Sequence, residues 1–419
     1  MSHKSLLALM AVVLLPGCGG GSGTQTDDPV SAPSRIQLIE LAGQSNAGAG
    51  GVSPLLESRP LASNALQFSG PGKFGYGSKA QPLSELTSFE PVQDVTGSHY
   101  VATLLGLAIG HNSASTYLMR TDWYGGRPLS SFFEGSTNFA NTIQAMTAAK
   151  SVAAATGKGV ESRWYVWIQG ESGPADRTLY AEQLGSYVDS IRPAIARALE
   201  QSFEPTFVIV QTNAADRNGA ATTETRGSDL VASAQWDVSR SKPGTLLAGP
   251  MYQAPMVIDS SDNIHSNGIG RMILSDMLVD VFSKGESWKP LQPRQATLLG
   301  RAIDVKFDVP AGALAWDTQW IKPAPNYGFS YRDDGASANI ANVAIVSSDT
   351  VRITLTAPPS GSNPRIAYAH GVVDGELDGW SSARGQLISP TQRDSYFHGL
   401  GYPVPAKVNH YSVRFSLPL

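Results

Sequence analysis

The feature that most constrains the fold is an alternation of two patterns between residues 35 and 285. Short runs of bulky apolar residues alternate with longer segments whose apolar residues recur every three or four positions. The strand-like runs are residues 36–41, 115–120, 164–168, 207–210 and 246–249, and the helix-like segments are residues 100–109, 139–155, 179–199, 230–238 and 269–282. Strands that alternate with helices predict βαβ units. We therefore expect an α/β fold in which helices cover both faces of a parallel sheet.

The pattern changes after residue 288, where only strand-like segments follow. They cover residues 305–309, 327–331, 343–347, 351–355, 365–370 and 411–417, and clusters of Gly, Pro, Asn and Asp separate them. Residues 351–355 alternate apolar and polar side chains, as a half-buried strand does. This predicts a smaller all-β sandwich at residues 288–419, after an α/β domain at residues 35–287.

Composition excludes several other classes of protein. The chain has 419 residues, 42% of them hydrophobic and 16% charged, which is too apolar for a disordered chain and too poor in charge for a coiled coil. The net charge of −4 predicts no nucleic-acid partner. Its single cysteine cannot form an internal disulfide or a cysteine-ligated zinc site. No two histidines of the β region have metal-ligand spacing, so we expect no metal and no cofactor.

The N-terminus has the pattern of an export signal. Residues 6–15 form an apolar run of ten residues, which is too short to span a bilayer and typical of a secretory signal. Leu15-Pro16-Gly17-Cys18 follows and resembles a bacterial lipobox, although a small or β-branched residue is commoner at the position of Pro16. The resemblance implies a signal peptide at residues 1–17 and a lipid on Cys18. The alternative is an ordinary signal peptide cleaved nearby.

Residues 18–34 predict a tether behind that lipid. They consist mostly of Gly, Ser, Thr, Pro and Asp, and so bury too little apolar surface to fold. No later segment has the roughly 18 consecutive apolar residues that would span a membrane. We therefore expect an exported lipoprotein that contacts the membrane through its anchor, at the outer membrane, on the periplasmic or the cell-surface side.

A candidate nucleophile follows the first predicted strand, in Gly43-Gln44-Ser45-Asn46. Ligands of open α/β sheets bind beyond the carboxyl ends of the strands, where the N–H groups of a following helix point outward. Glycine permits a tight turn and close approach of a substrate. These are the requirements of a nucleophilic serine. The alternative is a plain turn capped by Ser45 or Asn46.

A candidate base with its carboxylate occurs near the end of the α/β region, in Asp262-x-x-His265. Side chains three residues apart can meet on one turn, so Asp262 can orient the imidazole of His265. Asp259 is a competing carboxylate with poorer spacing, and the alternative is a solvated surface turn. The chain order differs from that of α/β-hydrolases, and Ala47 replaces the second glycine of their Gly-x-Ser-x-Gly turn.

Four motifs in this order resemble the SGNH (GDSL-like) hydrolase superfamily. The resemblance is to its sialate O-acetylesterase and acetylxylan esterase-like branch, which includes carbohydrate esterase family six. The matching motifs are Gly43-Gln44-Ser45-Asn46, Gly125-Gly126, Trp167-Ile168-Gln169-Gly170-Glu171 and Asp262-x-x-His265. Arg127 departs from the branch, which usually has Thr after the two glycines, and no acidic residue directly follows Glu171.

The resemblance implies a three-layer α/β/α sandwich and a Ser-His-Asp esterase that needs no cofactor or metal. Its implied substrate is an acetylated oligo- or polysaccharide. Ser45, His265 and Asp262 would be catalytic. The implied oxyanion and substrate-binding residues are Gly125, Gly126, Gln169, Gln44, Asn46 and Glu171. Two alternatives remain: an esterase or lipase for non-carbohydrate esters, and an inactive surface lipoprotein that binds carbohydrate.

Overall fold

A parallel sheet lies at the centre of the structure, as the alternating pattern predicts. The computed structural model describes residues 34–48, 64–92, 101–111, 113–174, 176–213, 227–257, 264–335, 338–371, 379–381 and 383–419. Ser34–Leu419 form one compact unit. The predicted signal peptide and Cys18 lie outside the described residues, as do residues 19–33 of the tether and Asp262.

In the described part of the chain, eight strands form the central sheet, in the order β4-β2-β5-β1-β6-β7-β8 with β3 also beside β5. All pairs are parallel except β2 with β4. Their bounds are β1 Arg35–Gly43, β2 Ala65–Phe68, β3 Phe74–Tyr76, β4 Phe89–Pro91, β5 Thr116–Trp123, β6 Gly159–Ile168, β7 Thr206–Gln211 and β8 Thr245–Pro250. After β1 the chain forms β2 to β5 on one side of that strand and then crosses to β6 on the other side. This reversal makes the carboxyl end of β1 the switch point at which such sheets bind ligands.

Helices cover both faces of this sheet. They are α1 Ser45–Gly48, α2 Val101–Gly110, α3 Thr137–Ala154, α4 Arg177–Leu199, α5 Gly227–Ser241 and α6 Gly268–Lys284. Side chains of β1 alternate between two cores: Leu38 packs with residues of α3, α4 and α5, whereas Ile39 and Leu41 pack with residues of α2 and α6. A strand buried on both faces has to be apolar at nearly every position, which explains the continuous apolar run in the sequence.

Polar residues mark where the long helices begin. The side chains of Ser136, Asp176 and Asn267 accept the backbone N–H of the residue three positions later at 3.1, 3.0 and 2.9 Å. Each of these bonds satisfies an N–H of the first turn that has no partner within its helix. Among the described residues, no helix combines the length and the apolarity needed to cross a bilayer.

The C-terminal region is antiparallel, in agreement with the predicted change of pattern. Its sheets are β13-β14-β10-β9, β11-β16-β17 and β12-β15-β18. The bounds are β9 Gln292–Leu299, β10 Ala302–Asp308, β11 Ala315–Trp316, β12 Phe329–Arg332, β13 Ile340–Ser347, β14 Thr350–Leu355, β15 Arg365–Tyr368, β16 Leu387–Ser389, the short helix α7 Tyr396–Gly399, β17 His410–Tyr411 and β18 Phe415–Pro418. Short 3₁₀ helices cover Gly70–Lys73, Leu83–Glu85, Leu129–Phe132, Met251–Gln253, Gly285–Ser287 and Pro325–Gly328.

The β region packs directly on the α/β region. Trp236 of α5 contacts Phe415 of β18, with ring centroids 6.2 Å apart, and both belong to one hydrophobic core. Arg414 forms a buried ion pair with Asp229 of α5. The α/β fold class followed by a β region is therefore confirmed, and the domain boundary between residues 287 and 288 stays a prediction.

Candidate active site

Three strand ends meet at one edge of the central sheet. Gly43, the last residue of β1, lies opposite Trp123 at the end of β5 and Ile168 at the end of β6. The loops that leave these strands contain most of the candidates chosen from the sequence. This edge is also the switch point of the sheet, so topology and motifs indicate the same place.

Ser45 is the first residue of α1 and is half-buried. Just before it, the backbone N–H of Gln44 donates to the carbonyl of Ile168 at 3.0 Å. The side-chain oxygen of Gln44 accepts the backbone N–H groups of Gly170 at 3.3 Å and Ser172 at 3.2 Å. Gln44 thereby joins the loop of Ser45 to the loop after β6.

The glycine at position 43 is required by close packing at this turn. Its φ is +144°, a conformation that L side chains rarely adopt, and a Cβ there would lie 2.0 Å from the carbonyl oxygen of Ile168. Any other residue would push β1 away from β6. Gly43 therefore allows Ser45 to sit directly beside the end of β6.

Asn46 is fully buried and connects three segments. Its side-chain N–H groups donate to the Glu171 carboxylate at 2.8 Å and to the Ile264 carbonyl at 3.1 Å. Its side-chain oxygen accepts from the backbone N–H of Ser266 at 3.1 Å. Because Ile264 and Ser266 flank His265, these bonds bring the histidine to the serine loop.

His265 is half-buried in a short paired segment. Its carbonyl accepts the N–H of Val257 at 2.9 Å, and Ser266 pairs with Met256. The backbone N–H of Met256 in turn donates to Gly379 of the β region at 2.7 Å. The C-terminal region therefore supports the segment that presents His265. The predicted partner Asp262 lies outside the described residues.

Glu171 lies in the loop after β6 and is bonded to Asn46. Burial raises the pKa of its carboxyl group, while its own backbone N–H, Asn46 and the charge of His265 oppose that rise. One carboxylate oxygen accepts from Asn46 at 2.8 Å, and the Thr212 side chain also counteracts the rise of the pKa. The carboxylate is thus close enough to act electrostatically on His265.

The glycines after β5 lie on the other side of the serine. A Cβ on Gly125 would come within 3.8 Å of the Ser45 Cβ and 3.2 Å of the Trp123 ring. Gly126 has a φ of +66°, and a Cβ there would meet nothing within 4 Å. The backbone at Gly125 therefore borders Ser45, and Gly126 faces open space.

Gln169 completes the edge from the loop after β6. Its side-chain N–H donates to the Arg127 carbonyl at 3.3 Å, so it faces the glycine loop. The Tyr180 hydroxyl donates to its side-chain oxygen at 2.6 Å. Burial raises the pKa of Tyr180, which keeps the hydroxyl a donor. This bond determines which end of the Gln169 amide faces the loop of residues 125–127.

Several residues that support this edge were absent from the sequence prediction. Tyr180 orients Gln169, and Gln235 donates to the Gln169 carbonyl at 2.6 Å. Ser266 bonds the Asn46 side chain. Tyr180 and Gln235 are interior positions of helices, where a single sequence carries no signal for such a role. Ser266 directly follows the predicted His265, and this proximity in sequence is the signal that could have identified it.

Aromatic side chains form a rim next to Ser45. The Trp123 ring occupies the space that a Cβ on Gly48 of α1 would enter. Tyr76 contacts Trp123 and Tyr124, with ring centroids 4.7 and 5.5 Å apart, and is 39% exposed. The guanidinium of Arg127 lies 4.7 Å over the Tyr124 ring. In the described part of the chain, no cluster of three or more His, Cys, Asp or Glu residues is arranged to hold a metal ion.

No protein-family model matches the chain, and no curated protein sequence matches it significantly. Several solved structures do match the chain. A carbohydrate acetylesterase from Xanthomonas citri superposes with a TM-score of 0.59 at 15% identity, over 91% of this chain and 80% of that one. A protein of Arabidopsis thaliana matches at 16% identity and a TM-score of 0.42, over 60% of this chain and 99% of that one. The chain thus shares the carbohydrate esterase-like fold of the Xanthomonas citri enzyme.

Proposed function

We propose that the protein is a serine esterase that removes acetyl groups from carbohydrate, with Ser45 as nucleophile and His265 and Asp262 as its partners. The observation that carries the proposal is the meeting of Ser45, Gly125, Gln169 and the His265 segment at one sheet edge. These groups come from four separate stretches of the chain. If each of these groups had only a structural role, they would not need to lie close together.

In the proposed mechanism His265 takes the proton of Ser45 as the serine oxygen attacks the ester carbonyl. The tetrahedral intermediate collapses when His265 returns that proton to the departing sugar hydroxyl. Water then attacks the acyl-enzyme with His265 as base, His265 returns that proton to the Ser45 oxygen as its bond to the acyl group breaks, and acetate leaves. Asp262 would orient the imidazole, and Glu171 would add a second negative charge near it.

The oxyanion would receive hydrogen bonds from the backbone of Ser45, from the loop at Gly125 and Gly126, and from the Gln169 amide. One N–H of Gln169 already bonds Arg127, which leaves the other for a substrate oxygen. The loss of one such donor typically lowers the rate by about 10²–10³. Tyr180 holds this donor in place.

Two observations favour carbohydrate as the substrate. The structural neighbour from Xanthomonas citri is itself a carbohydrate acetylesterase. The rim of Tyr76, Trp123 and Tyr124 offers aromatic rings beside the nucleophile, an apolar surface with polar tips that suits a sugar ring.

We further propose that the esterase is an exported lipoprotein attached to a membrane through Cys18. The sequence of residues 1–34 supports this, since an apolar run, a lipobox-like cysteine and a polar tether follow in that order. Cys18→Ala should move the protein from the membrane fraction to the soluble fraction. An unchanged distribution would contradict the lipid anchor.

The decisive experiment measures acetate release from p-nitrophenyl acetate and from acetylated xylan. The wild-type protein should hydrolyse both, and Ser45→Ala should be inactive. Ser283→Ala removes a hydroxyl that, among the described residues, bonds the Asp280 carbonyl within α6, and this variant should retain full activity. Full activity in Ser45→Ala would disprove the mechanism. Faster hydrolysis of long-chain than of acetyl esters would indicate a lipase instead.

A further inference from the structure

An arginine of the C-terminal β region bonds a loop beside the candidate active site. Arg414 lies between β17 and β18 and is fully buried. Its guanidinium donates to the carbonyl of Thr212, the first residue after β7, at 2.9 Å. In the parallel pair of β6 and β7, Trp167 lies opposite Ile209, and this register brings Gly170 level with Thr212. Arg414 therefore contacts the same end of the sheet as the candidate catalytic groups.

Thr212 packs directly against the loop that presents Gln169. A Cβ on Gly170 would lie 2.6 Å from the Thr212 Cβ, so the threonine side chain touches the backbone of this loop. The backbone N–H of Thr212 donates to the side-chain oxygen of Gln235 at 2.9 Å, and the amide of Gln235 donates to the Gln169 carbonyl at 2.6 Å. Close packing and a bridging amide thus connect Thr212 to Gln169.

The position of this loop affects two groups of the proposed mechanism. Gln169 itself presents the side-chain amide that would bind the oxyanion. The backbone N–H of Gly170 donates to the side chain of Gln44, the residue before Ser45, at 3.3 Å. A displacement of Thr212 would therefore move an oxyanion donor and disturb the neighbour of the nucleophile.

Arg414 is itself held by contacts that do not involve Thr212. Its Nε donates to the Ala369 carbonyl at 2.9 Å, and another N–H of its guanidinium donates to Asp229 in the first turn of α5. Its backbone N–H and carbonyl bond the side chain of Gln211 at 2.8 and 2.9 Å. A guanidinium has several donors in one rigid plane, so it can bind three separate acceptors, whereas the single ammonium of lysine has no such fixed geometry.

A second bond from the β region supports the same loop. The Ser381 hydroxyl donates to the Asn213 carbonyl at 3.0 Å. Two successive carbonyls after β7, those of Thr212 and Asn213, are therefore held by side chains of the C-terminal region. The alternative is that Arg414 serves only to neutralise the buried charge of Asp229.

We propose that Arg414 is a positioning residue for the candidate active site: it fixes Thr212 and, through Thr212, the loop that presents Gln169. The C-terminal β region is then a part of the catalytic unit. The connection from Arg414 to Gly170 follows from the contacts alone, whereas its effect on a reaction rests on the proposed function.

The kinetic test compares kcat and KM of the purified full chain with p-nitrophenyl acetate. Arg414→Lys keeps the positive charge beside Asp229 but loses the planar donors for Thr212 and Ala369. Because a misplacement of about 1 Å can lower a rate about 10²-fold, kcat should fall at least about tenfold with little change in KM. Wild-type kcat in Arg414→Lys would show that the charge suffices and would overturn the proposal.

Arg192→Lys is the matched control. Arg192 also bonds two carbonyls, those of Pro205 at 2.7 Å and Pro243 at 3.1 Å, but these precede β7 and β8 at the opposite end of the sheet. The control should keep wild-type kcat even if its melting temperature falls. Equal losses of kcat in the two lysine variants would reduce the role of Arg414 to general stability.

Hydrogen exchange tests the positioning without reference to catalysis. The backbone N–H groups of Gly170 and Ser172 both bond Gln44, so they should exchange faster in Arg414→Lys than in the wild type or in Arg192→Lys. Unchanged exchange at these two positions would contradict the proposal. A chain that hydrolyses no acetyl ester would refute the proposed function and leave this measurement valid, so the two proposals can fail separately.

Ser381→Ala provides a milder variant, since it removes the bond to the Asn213 carbonyl and leaves Arg414 intact. It should lower kcat and speed the exchange of Gly170 and Ser172 in the same direction as Arg414→Lys, but by less. If circular dichroism shows that Arg414→Lys does not fold, this variant decides, and wild-type kinetics and exchange in it would overturn the proposal.

Discussion

The side-chain oxygen of Asn46 accepts the backbone N–H of Ser266 at 3.1 Å, and this bond joins the serine loop to the histidine segment. The same amide also donates to Glu171 at 2.8 Å. A single buried side chain thus sets the spacing between the proposed nucleophile and the proposed base. The motif resemblance implies an oxyanion or substrate-binding role for Asn46, and these bonds add a positioning role that the motif does not indicate.

Asn46→Ala should therefore lower kcat for p-nitrophenyl acetate about 10²-fold, the effect expected from misplacing catalytic groups by about 1 Å. KM should change little, since small esters make few contacts here. Asn342→Ala, an exposed change on β13, is the matched control and should keep wild-type kinetics. A fully active Asn46→Ala enzyme would show that the histidine segment is positioned by other contacts.

Tyr180→Phe tests the orientation of Gln169. Without the hydroxyl, the side-chain oxygen of Gln169 loses its donor at 2.6 Å, and the amide can turn its oxygen toward the substrate. We expect kcat to fall at least about tenfold, toward the loss seen when an oxyanion donor is removed. Steady-state kinetics with kcat and KM separated provide the measurement.

The control for that change is Tyr187→Phe. It removes an equally buried hydroxyl seven residues further along α4, which bonds Tyr165 at 2.6 Å instead of Gln169. Both variants should lose comparable thermal stability, and only Tyr180→Phe should lose activity. Equal losses of kcat in the two would assign Tyr180 a purely structural role.

Glu171→Gln separates activity from stability. The negative charge of Glu171 favours the imidazolium that forms on His265 during catalysis, so its loss should lower kcat/KM about tenfold, or ~1.4 kcal/mol. Glu161→Gln, at the opposite end of β6 and bonded to Gln37 and Arg163, is the control and should keep its activity. Wild-type kcat/KM in Glu171→Gln would refute the electrostatic role.

The same substitution should lower activity but raise stability relative to the wild type as pH rises. Burial raises the pKa of Glu171, so the folded state holds its proton to higher pH than the unfolded chain does. The wild-type free energy of unfolding therefore loses a contribution as pH rises above the unfolded value of about 4.3. Glu171→Gln has no carboxyl group to titrate and so does not lose this contribution. Urea unfolding at pH 4 and pH 7 should show that the free energy of unfolding of the variant increases relative to that of the wild type as pH rises.

The central strands could be predicted because burial on both faces demands apolar residues at nearly every position, as in Trp164 to Ile168 of β6. The strands β2, β3 and β4 went unpredicted because they have only four, three and three residues, too few to display a period. The positions of β2 and β3 in the sheet depend on pairing with β5, which is distant in sequence. The position of β4 depends on pairing with β2.

Long-range polar bonds also escape sequence reasoning. Residues 411–417 look like one strand, yet the structure has separate strands β17 and β18. Arg414 leaves the ladder because its backbone N–H donates to Gln211 at 2.8 Å and its guanidinium to the Thr212 carbonyl at 2.9 Å. Likewise, the motifs identified Gln169, whereas Tyr180 in the first turn of α4 carries no distinguishing signal.

The stability of the folded protein depends on pH through His370. Burial lowers its pKa to about 4, Asp229 acts in the opposite direction, and Arg414, Arg177 and Arg332 reinforce the lowering. An unfolded histidine has a pKa of about 6.5. Between these values the unfolded chain binds a proton that the folded protein does not. The contribution of His370 to the free energy of unfolding is therefore fully present above about pH 6.5 and is lost as pH falls toward 4.

His370→Gln should remove this dependence. Between pH 7 and pH 4 the wild type should lose up to roughly 3 kcal/mol more unfolding free energy than the variant, the limit set by the size of the pKa shift. Urea unfolding at both pH values measures the difference. His398→Gln alters an exposed histidine of α7 and should behave as the wild type does. If wild type and His370→Gln lost the same free energy over this range, the imidazole would have to be accessible to protons in the folded state.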